Sequence, residues 1–295
     1  MTCTLGIDIG GSAIKFGLVN AEGLVTGRFR KAPHSGNDVV EVLTSTTRDI
    51  MSASADEIVA VGIGSPGYIN AERTHVVYAT NLQWRDFALV RTIENAVSLP
   101  TFLDGDANLA ALAEAHRGAA RSSHSALYVS LGTGIGVGVV LEGRIWHGAH
   151  GVAGDVGHMP IAGASTVCDC GRRNCWESVA SARVLNARLT SVNATWPAAL
   201  DDSADAGRIV DEWIDSLVAG MLPLLGLIDP EVVVIGGALT DGADDVLNKL
   251  GPRLKAGLLS SDYVPMPRLA LAQLRGQSGA IGAGIYAQQC LEGVS

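Results

Sequence analysis

"LGIDIGGSAIKFGLV", Leu5 to Val19, is the stretch from which the fold is read. The apolar run Leu5 to Ile9 stops at Gly10-Gly11, and a second β-like run, Ile14 to Asn20, begins almost at once. Glycines straight after a buried strand let backbone N–H groups face an anion without side-chain hindrance. The spacing G-x-x-x-x-G-K-[ST] is absent, so this is not a P-loop, and a strand rather than a helix follows, which excludes a dinucleotide fingerprint. Taken alone, the same letters equally suit a tight hairpin entry.

Working outward, the pattern recurs. Leu24 to Arg30 reads as a further β-like run after the "NAEG" turn, a hairpin signal. Ile58 to Gly64 is a strand ending in the turn "SPG", and Thr101 to Asp104 is a strand running into "DGDANLAALAEAHRG". That last piece is an Ala/Leu-rich helix with Asp or Asn at its start and Gly118 beyond its end. Ala126 to Ser130 then leads into "LGTGIG" (Leu131 to Gly136), Val137 to Leu141 and the turn "EGR". A third run, Glu231 to Ile235, ends at Gly236-Gly237 in "VIGGAL", with a helical stretch from Asp241 to Leu258 after it. The repeated order of strand, glycine turn and strand predicts two related α/β domains. Three glycine loops at three strand ends predict a cleft between them lined with anion-binding backbone. Ser191 to Gly207 reads as a mobile surface loop.

Bulk properties agree with a two-unit chain that buries a substantial core: 295 residues, 47% hydrophobic and 17% charged. A formal net charge of −9, with no run of Lys and Arg, argues against a nucleic-acid-gripping surface. The N-terminus lacks the basic and apolar regions of a secretory leader. The most apolar helical stretch, Leu217 to Ile228, is too short to span a bilayer and contains Pro223. The reading is a cytoplasmic protein without a membrane partner. Of five cysteines, three fall between Cys168 and Cys175, which fits metal binding better than a disulfide framework. Cys3 and Cys290 read as small buried hydrophobes, and His34, His75, His116, His124, His147 and His150 as ordinary surface or packing residues.

Two groups of residues could carry chemistry. Asp104 and Asp106 stand where a strand gives way to a helix, whose N-terminus keeps a carboxylate ionised. An ionised carboxylate in a cleft can accept a hydroxyl proton, although a helix N-cap is the commoner use of such a residue. His158, Cys168, Cys170 and Cys175 supply one nitrogen and three thiolates, a closed tetrahedral set of the structural zinc type. A closed shell leaves no position for water or substrate, and C-x-C-x4-C is not the spacing of a nucleic-acid-binding finger. Reduced thiols without metal are the alternative.

In order, "DIGGSAIK", "SPG", "NLQWRD", "DGDANLAALAE", "LGTGIGVGVV", "GDVGHMPI", "CDCGRRNCWE" and "VIGGAL" resemble the ROK sugar kinases, most nearly the bacterial ATP-dependent glucokinases, from about Leu5 to Gly284. The resemblance implies an α/β, actin-like ATPase or hexokinase-type pair of domains around a cleft, often as a homodimer. Residues 1–116, completed by a C-terminal helix 279–295, would form the small sugar-side domain with the first phosphate loop. Residues 117–278 would form the large domain with the zinc motif and the nucleotide site.

Carried over residue by residue, the resemblance makes Asp106 the general base for a sugar hydroxymethyl group. Asp8 would help hold Mg²⁺; Gly10, Gly11, Ser12 and Lys15 would approach the ATP phosphates. Gly132, Thr133 and Gly134 would form a second phosphate loop, and Gly236 and Gly237 would pass beside the nucleoside. Gly67, Asp155, His158 and Glu177 would lie on the sugar side. One His158 nitrogen would bind structural zinc while the other points to the sugar. Two departures stand out: Gly105 where the family usually has Asn, and Asp155 where it usually has Glu. The acceptor is expected to be glucose or a glucose-like sugar; because both departures reshape the ring pocket, the alternative is that glucose is a poor substrate and a modified sugar such as kanosamine or a hydroxymethyl cyclitol is the acceptor. A non-catalytic sugar-responsive regulator is a more distant alternative; the family's repressors carry an extra helix-turn-helix segment ahead of the first strand, for which Leu5 leaves no room.

Overall fold

The computed structural model describes residues 2–26, 29–200, 203–239 and 244–293. The opening stretch forms the hairpin β1 (Thr2–Ile9) and β2 (Ala13–Asn20), with β3 (Arg30–Pro33) added at its edge. Helix α1 (Val39–Ala53) leads to β4 (Glu57–Ser65), which runs parallel to β1. Three short strands follow, β5 (Tyr68–Ile69), β6 (Val76–Ala79) and β7 (Trp84–Phe87), as a small antiparallel sheet. Helix α2 (Leu89–Val97) then precedes β8 (Thr101–Gly105), parallel to β4, and α3 (Asp106–Arg117).

The second half repeats this plan. It contains β9 (Ser125–Leu131), β10 (Ile135–Leu141), β11 (Arg144–Ile145), α4 (Glu177–Ala180), α5 (Ala182–Thr190) and α6 (Ala204–Ile228). Then come β12 (Val232–Gly237), α7 (Asp244–Gly257), β13 (Arg268–Leu271) and α8 (Ser278–Leu291). The first sheet has the order β3-β2-β1-β4-β8 and the second β11-β10-β9-β12-β13. Position by position, both run antiparallel, antiparallel, parallel, parallel. The two-domain α/β expectation is therefore met by two five-stranded sheets of one topology.

Strand periodicity decides what each face of β1 does. Leu5, Ile7 and Ile9 point into a core shared with Leu43 of α1 and Ile93 of α2. Thr4, Gly6 and Asp8 point the other way, toward α8. That helix lies so close that a Cβ on Gly6 would sit 1.9 Å from the Ala280 carbonyl oxygen. Asp8, at the end of this face, is thereby delivered to the start of α8. The larger core lies under the second sheet, where Trp176 and Trp213 are fully buried. Each indole N–H finds a backbone acceptor, Ser216 O at 2.9 Å and Ala180 O at 2.8 Å, as buried tryptophans require.

Helix α3 packs against α8 on one side and β9 and β10 on the other, so it joins the two halves. Its buried Glu114 carboxylate accepts hydrogen bonds from the backbone N–H groups of Ala119, Gln273 and Leu274 and from the Ser278 hydroxyl. These ties connect the helix end to the segment that enters α8.

Two local expectations are corrected. Among the described residues of Leu24 to Arg30, Val25 makes a single bridge to Val19 and pairing resumes at Arg30, so they do not form one strand; residues 27–28 lie outside the described residues. Gly17 leaves a gap that the Phe29 ring fills, since a Cβ there would meet Phe29 Cε1 at 2.6 Å. Ser191 to Gly207 is not a detached surface loop either. Ala194 and Ala199 are buried in the large core, and Trp196 packs on Trp213 with ring centroids 6.1 Å apart. Residues 201–202 of that stretch, the expected helix start at Asp241 and the last two residues of the chain lie outside the described residues.

Candidate active site

The first two glycine loops end on the same opening. A cavity of about 960 Å³ is lined by Gly10, Gly11 and Ser12 after β1, by Gly132 to Gly134 after β9, and by Gly67, Gly105 and Asp106. Asp155, His158 and Glu177 complete its far wall. A second cavity of about 490 Å³ holds Asp8, Lys15, Gly237 and Arg275. Asp106 lines both cavities and so stands where they meet. Gly236 lines neither; its missing Cβ makes room for the Tyr128 hydroxyl, 2.0 Å from where that atom would be.

The lining glycines are of two kinds. Gly67 is demanded by the backbone, with φ +93° and a would-be Cβ only 2.2 Å from the Tyr78 carbonyl oxygen. At Gly132 a Cβ would meet nothing within 4 Å, and at Gly11 only Asn81 Nδ2 at 3.9 Å. Space there is left for something other than protein, consistent with bare backbone facing a ligand.

Asp106 is the first residue of α3, and its Oδ1 accepts from the Ala107 N–H at 2.7 Å. Its carboxylate has open surface within the two cavities it lines. Burial and then the negative charge of Asp8 push its pKa up to about 6, against the pull of the Ala107 N–H and Lys15. A carboxylate so placed is ionised near neutrality yet holds a proton better than an ordinary one, as a general base requires. Asp8 and Lys15 are direct register partners across the β1–β2 hairpin, and Lys15 Nζ lies 3.2 Å from Asp8 Oδ2.

His158, Cys168, Cys170 and Cys175 converge, with all ligand atoms within 4.8 Å of one another. His158 Nδ1 is 3.6 Å from Cys168 Sγ, and Cys170 Sγ is 3.7 Å from Cys175 Sγ. Thiolates about 2.3 Å from a tetrahedral zinc stand roughly 3.8 Å apart, so the donor set and its spacing fit that ion. With Nδ1 turned to the sulfurs, Nε2 is the nitrogen available to the cavity. Glu177 clamps this cluster to the second glycine loop: Oε2 accepts from the Ile135 N–H at 3.1 Å, and Oε1 lies 3.5 Å from Cys168 Sγ.

Several contacts around the cavity carry no signal in the sequence. The Tyr68 hydroxyl donates to Asp155 across the opening; burial and this bond push the tyrosine up to about 12. Asp104 is fully buried and gathers His147 Nε2 at 2.6 Å, Asn108 Nδ2 at 2.9 Å and Arg73 Nη1 at 3.5 Å. Of the two roles expected for His147, surface or packing, the structure shows packing, with a buried carboxylate as its partner. No local periodicity brings residues 73, 104 and 147 together; only the fold does.

Two repeated α/β sheets, glycine loops at their strand ends and a carboxylate where the cavities join define a two-lobed protein with a ligand-binding cleft. The chain belongs to the ROK family, whose pattern matches residues 4–290. It is 31% identical to a glucokinase of Streptomyces coelicolor over 98% of each chain. Among solved structures, it resembles a ROK family glucokinase from Streptomyces griseus in complex with glucose and AMPPNP (29% identity, 97% and 99% of the two chains, TM-score 0.83). It also resembles a ROK hexokinase from Thermus thermophilus (28% identity, 99% of each chain, TM-score 0.86). Among the described residues no helix is long and apolar enough to cross a membrane.

Proposed function

We propose that this protein is an ATP-dependent sugar kinase that phosphorylates the primary hydroxyl of glucose or a glucose-like ring. The observation that carries the reading is Asp106, a carboxylate with a raised pKa at the junction of two cavities. The full-length similarity to glucokinases, one of them holding glucose and AMPPNP, supports the same reading.

Phosphoryl transfer needs positioning and charge neutralisation more than covalent help. The larger cavity, with Asp155, His158 and Glu177 on its wall, would hold the sugar. Asp106 would accept the hydroxyl proton as the oxygen attacks the γ-phosphorus. Lys15 and the backbone N–H groups around Gly11 and Thr133 would receive phosphate oxygens, and Gly237 would border the nucleoside. Mg²⁺, when bound, would neutralise phosphate charge, and Asp8 would help hold it. Zinc held by His158, Cys168, Cys170 and Cys175 would fix the imidazole orientation, a bracing rather than a catalytic role. Residues 1–116 with 279–295 and residues 117–278 would be the two lobes, working in the cytoplasm as a homodimer.

The test is ADP release with ATP, Mg²⁺ and a panel of hexoses, with phosphorus NMR to locate the ester. Sugar-dependent ADP release with the phosphate on the primary hydroxyl is expected; ATP turnover indifferent to every sugar would defeat the reading. A modified acceptor such as kanosamine or a hydroxymethyl cyclitol belongs on the panel, because Gly105 leaves the ring wall open.

A further inference from the structure

We propose that Arg73 reads the acceptor ring on the side opened by Gly105, and selects rings carrying an oxygen there over rings carrying an ammonium group. The inference rests on the kinase reading and deepens it.

Gly105 has φ −66° and ψ 141°, a conformation open to any residue. A Cβ there would meet only Asn108 Nδ2, at 3.7 Å, an ordinary contact. Neither backbone nor packing calls for glycine, so its effect is the space it leaves. Because Asp106 would take the primary hydroxyl, the ring edge beside that hydroxymethyl group faces residue 105, one position away on the same wall.

Asp104 lies behind this space and cannot serve as a new acceptor. Its Oδ2 is taken by His147 Nε2, and its Oδ1 by Asn108 Nδ2, the Gly105 N–H at 2.6 Å and Arg73 Nη1. Arg73 is different. It lines the cavity, its side chain is 13% exposed, and only Nη1 approaches Asp104. On the other side, Gly151 passes so close that a Cβ there would sit 3.4 Å from Nη2. The residue also holds φ +54°, left-handed and uncommon for a side-chain-bearing residue, a feature that recurs where a site dictates geometry. A guanidinium has five N–H donors and no acceptor. Donors beyond the one near Asp104 are open to the cavity, where a ring oxygen could take the place of water, whereas a ring ammonium would offer only more donors and a like charge.

The experiment compares kcat/KM for glucose, 3-deoxyglucose, 4-deoxyglucose and 3-amino-3-deoxyglucose in the wild type, Arg73→Ala and Arg73→Lys. Wild type is expected to favour glucose over at least one deoxy sugar by about 100-fold, as polar sites do, and to favour glucose over the amino sugar. Arg73→Ala should shrink the first ratio to below about 10-fold by lowering the glucose value alone, with Arg73→Lys in between. Melting temperature and AMPPNP affinity should stay at wild-type values. Arg73→Lys, which keeps a cation beside Asp104, keeps the proposal testable if Arg73→Ala folds poorly: an amide placed in that space by Gly105→Asn should take over the contact, so that adding Arg73→Lys to Gly105→Asn costs glucose less than it costs the wild type. An equal loss on all four sugars, or a wild-type preference for the amino sugar, overturns the inference while leaving the kinase reading intact. No ADP release by wild type with any sugar overturns both.

Discussion

Lys15 stands directly opposite Asp8 in the β1–β2 register, its ammonium 3.2 Å from the carboxylate. The pair acts on Asp106 with opposite signs: Asp8 raises its pKa and Lys15 lowers it. Asp8→Asn should therefore move the Asp106 titration below about 6, and Lys15→Met should move it further up. Carbon-13 NMR of the aspartate carboxyls checks both directions, and shifts of the reverse sign would refute the shared field.

The pH profile follows from the same value. A base must be deprotonated to accept the hydroxyl proton, so kcat/KM for the sugar should be flat near pH 8 and fall on acidification with a midpoint near pH 6. Asp106→Asn should keep the sugar Kd within about threefold and lower kcat by about 10² to 10⁴, the usual scale of general-base catalysis. Near-normal turnover in the variant would remove Asp106 from the mechanism.

The two kinds of glycine give opposite outcomes. Gly132→Ala meets nothing within 4 Å, so the melting temperature should be unchanged while KM for ATP rises about tenfold, equivalent to roughly 1.4 kcal/mol. Gly67→Ala would place a methyl on the Tyr78 carbonyl at a left-handed φ, and it should fail thermally. Equal melting temperatures for the two variants would contradict the distinction.

Metal content is tested by elemental analysis and zinc removal. One zinc per chain is expected, lost in Cys175→Ser. Because His158 and Glu177 join the cluster to the cavity wall, the loss should raise KM for the sugar more than KM for ATP. Metal-free protein with an unchanged sugar KM would show that the cluster braces nothing.

Glu114 satisfies three backbone N–H groups and a hydroxyl where the halves meet. Glu114→Ala would leave these donors buried without partners, and it should destabilise the fold by about 3 kcal/mol or more in urea unfolding. A change under about 1 kcal/mol would mean that water replaces the carboxylate freely.

Strand ends, glycine loops and the cysteine cluster were legible from letters because their signals are local. An apolar run of period two, a glycine pair and a carboxylate at a helix start need only their neighbours in the chain. The cluster of His158 with three cysteines is read the same way, by spacing. Nothing local places the Phe29 ring in the gap over Gly17, a contact between β2 and the segment leading into β3. The buried character of Ala194 and Ala199 likewise depends on a distant Trp213 face.

Reading the chain in order thus gave a doubled α/β plan, the glycine loops, a candidate carboxylate at Asp106 and a candidate metal-binding set at His158 and three cysteines. Packing alone decided the shared cavity floor at Asp106, the Tyr68 bond to Asp155, and the meeting of Arg73, Asp104 and His147. The physical reason is range: hydrogen-bonding periodicity is written over a few residues, whereas burial, charge and contact between residues 73, 104 and 147 exist only once separate strands and loops have been brought against one another.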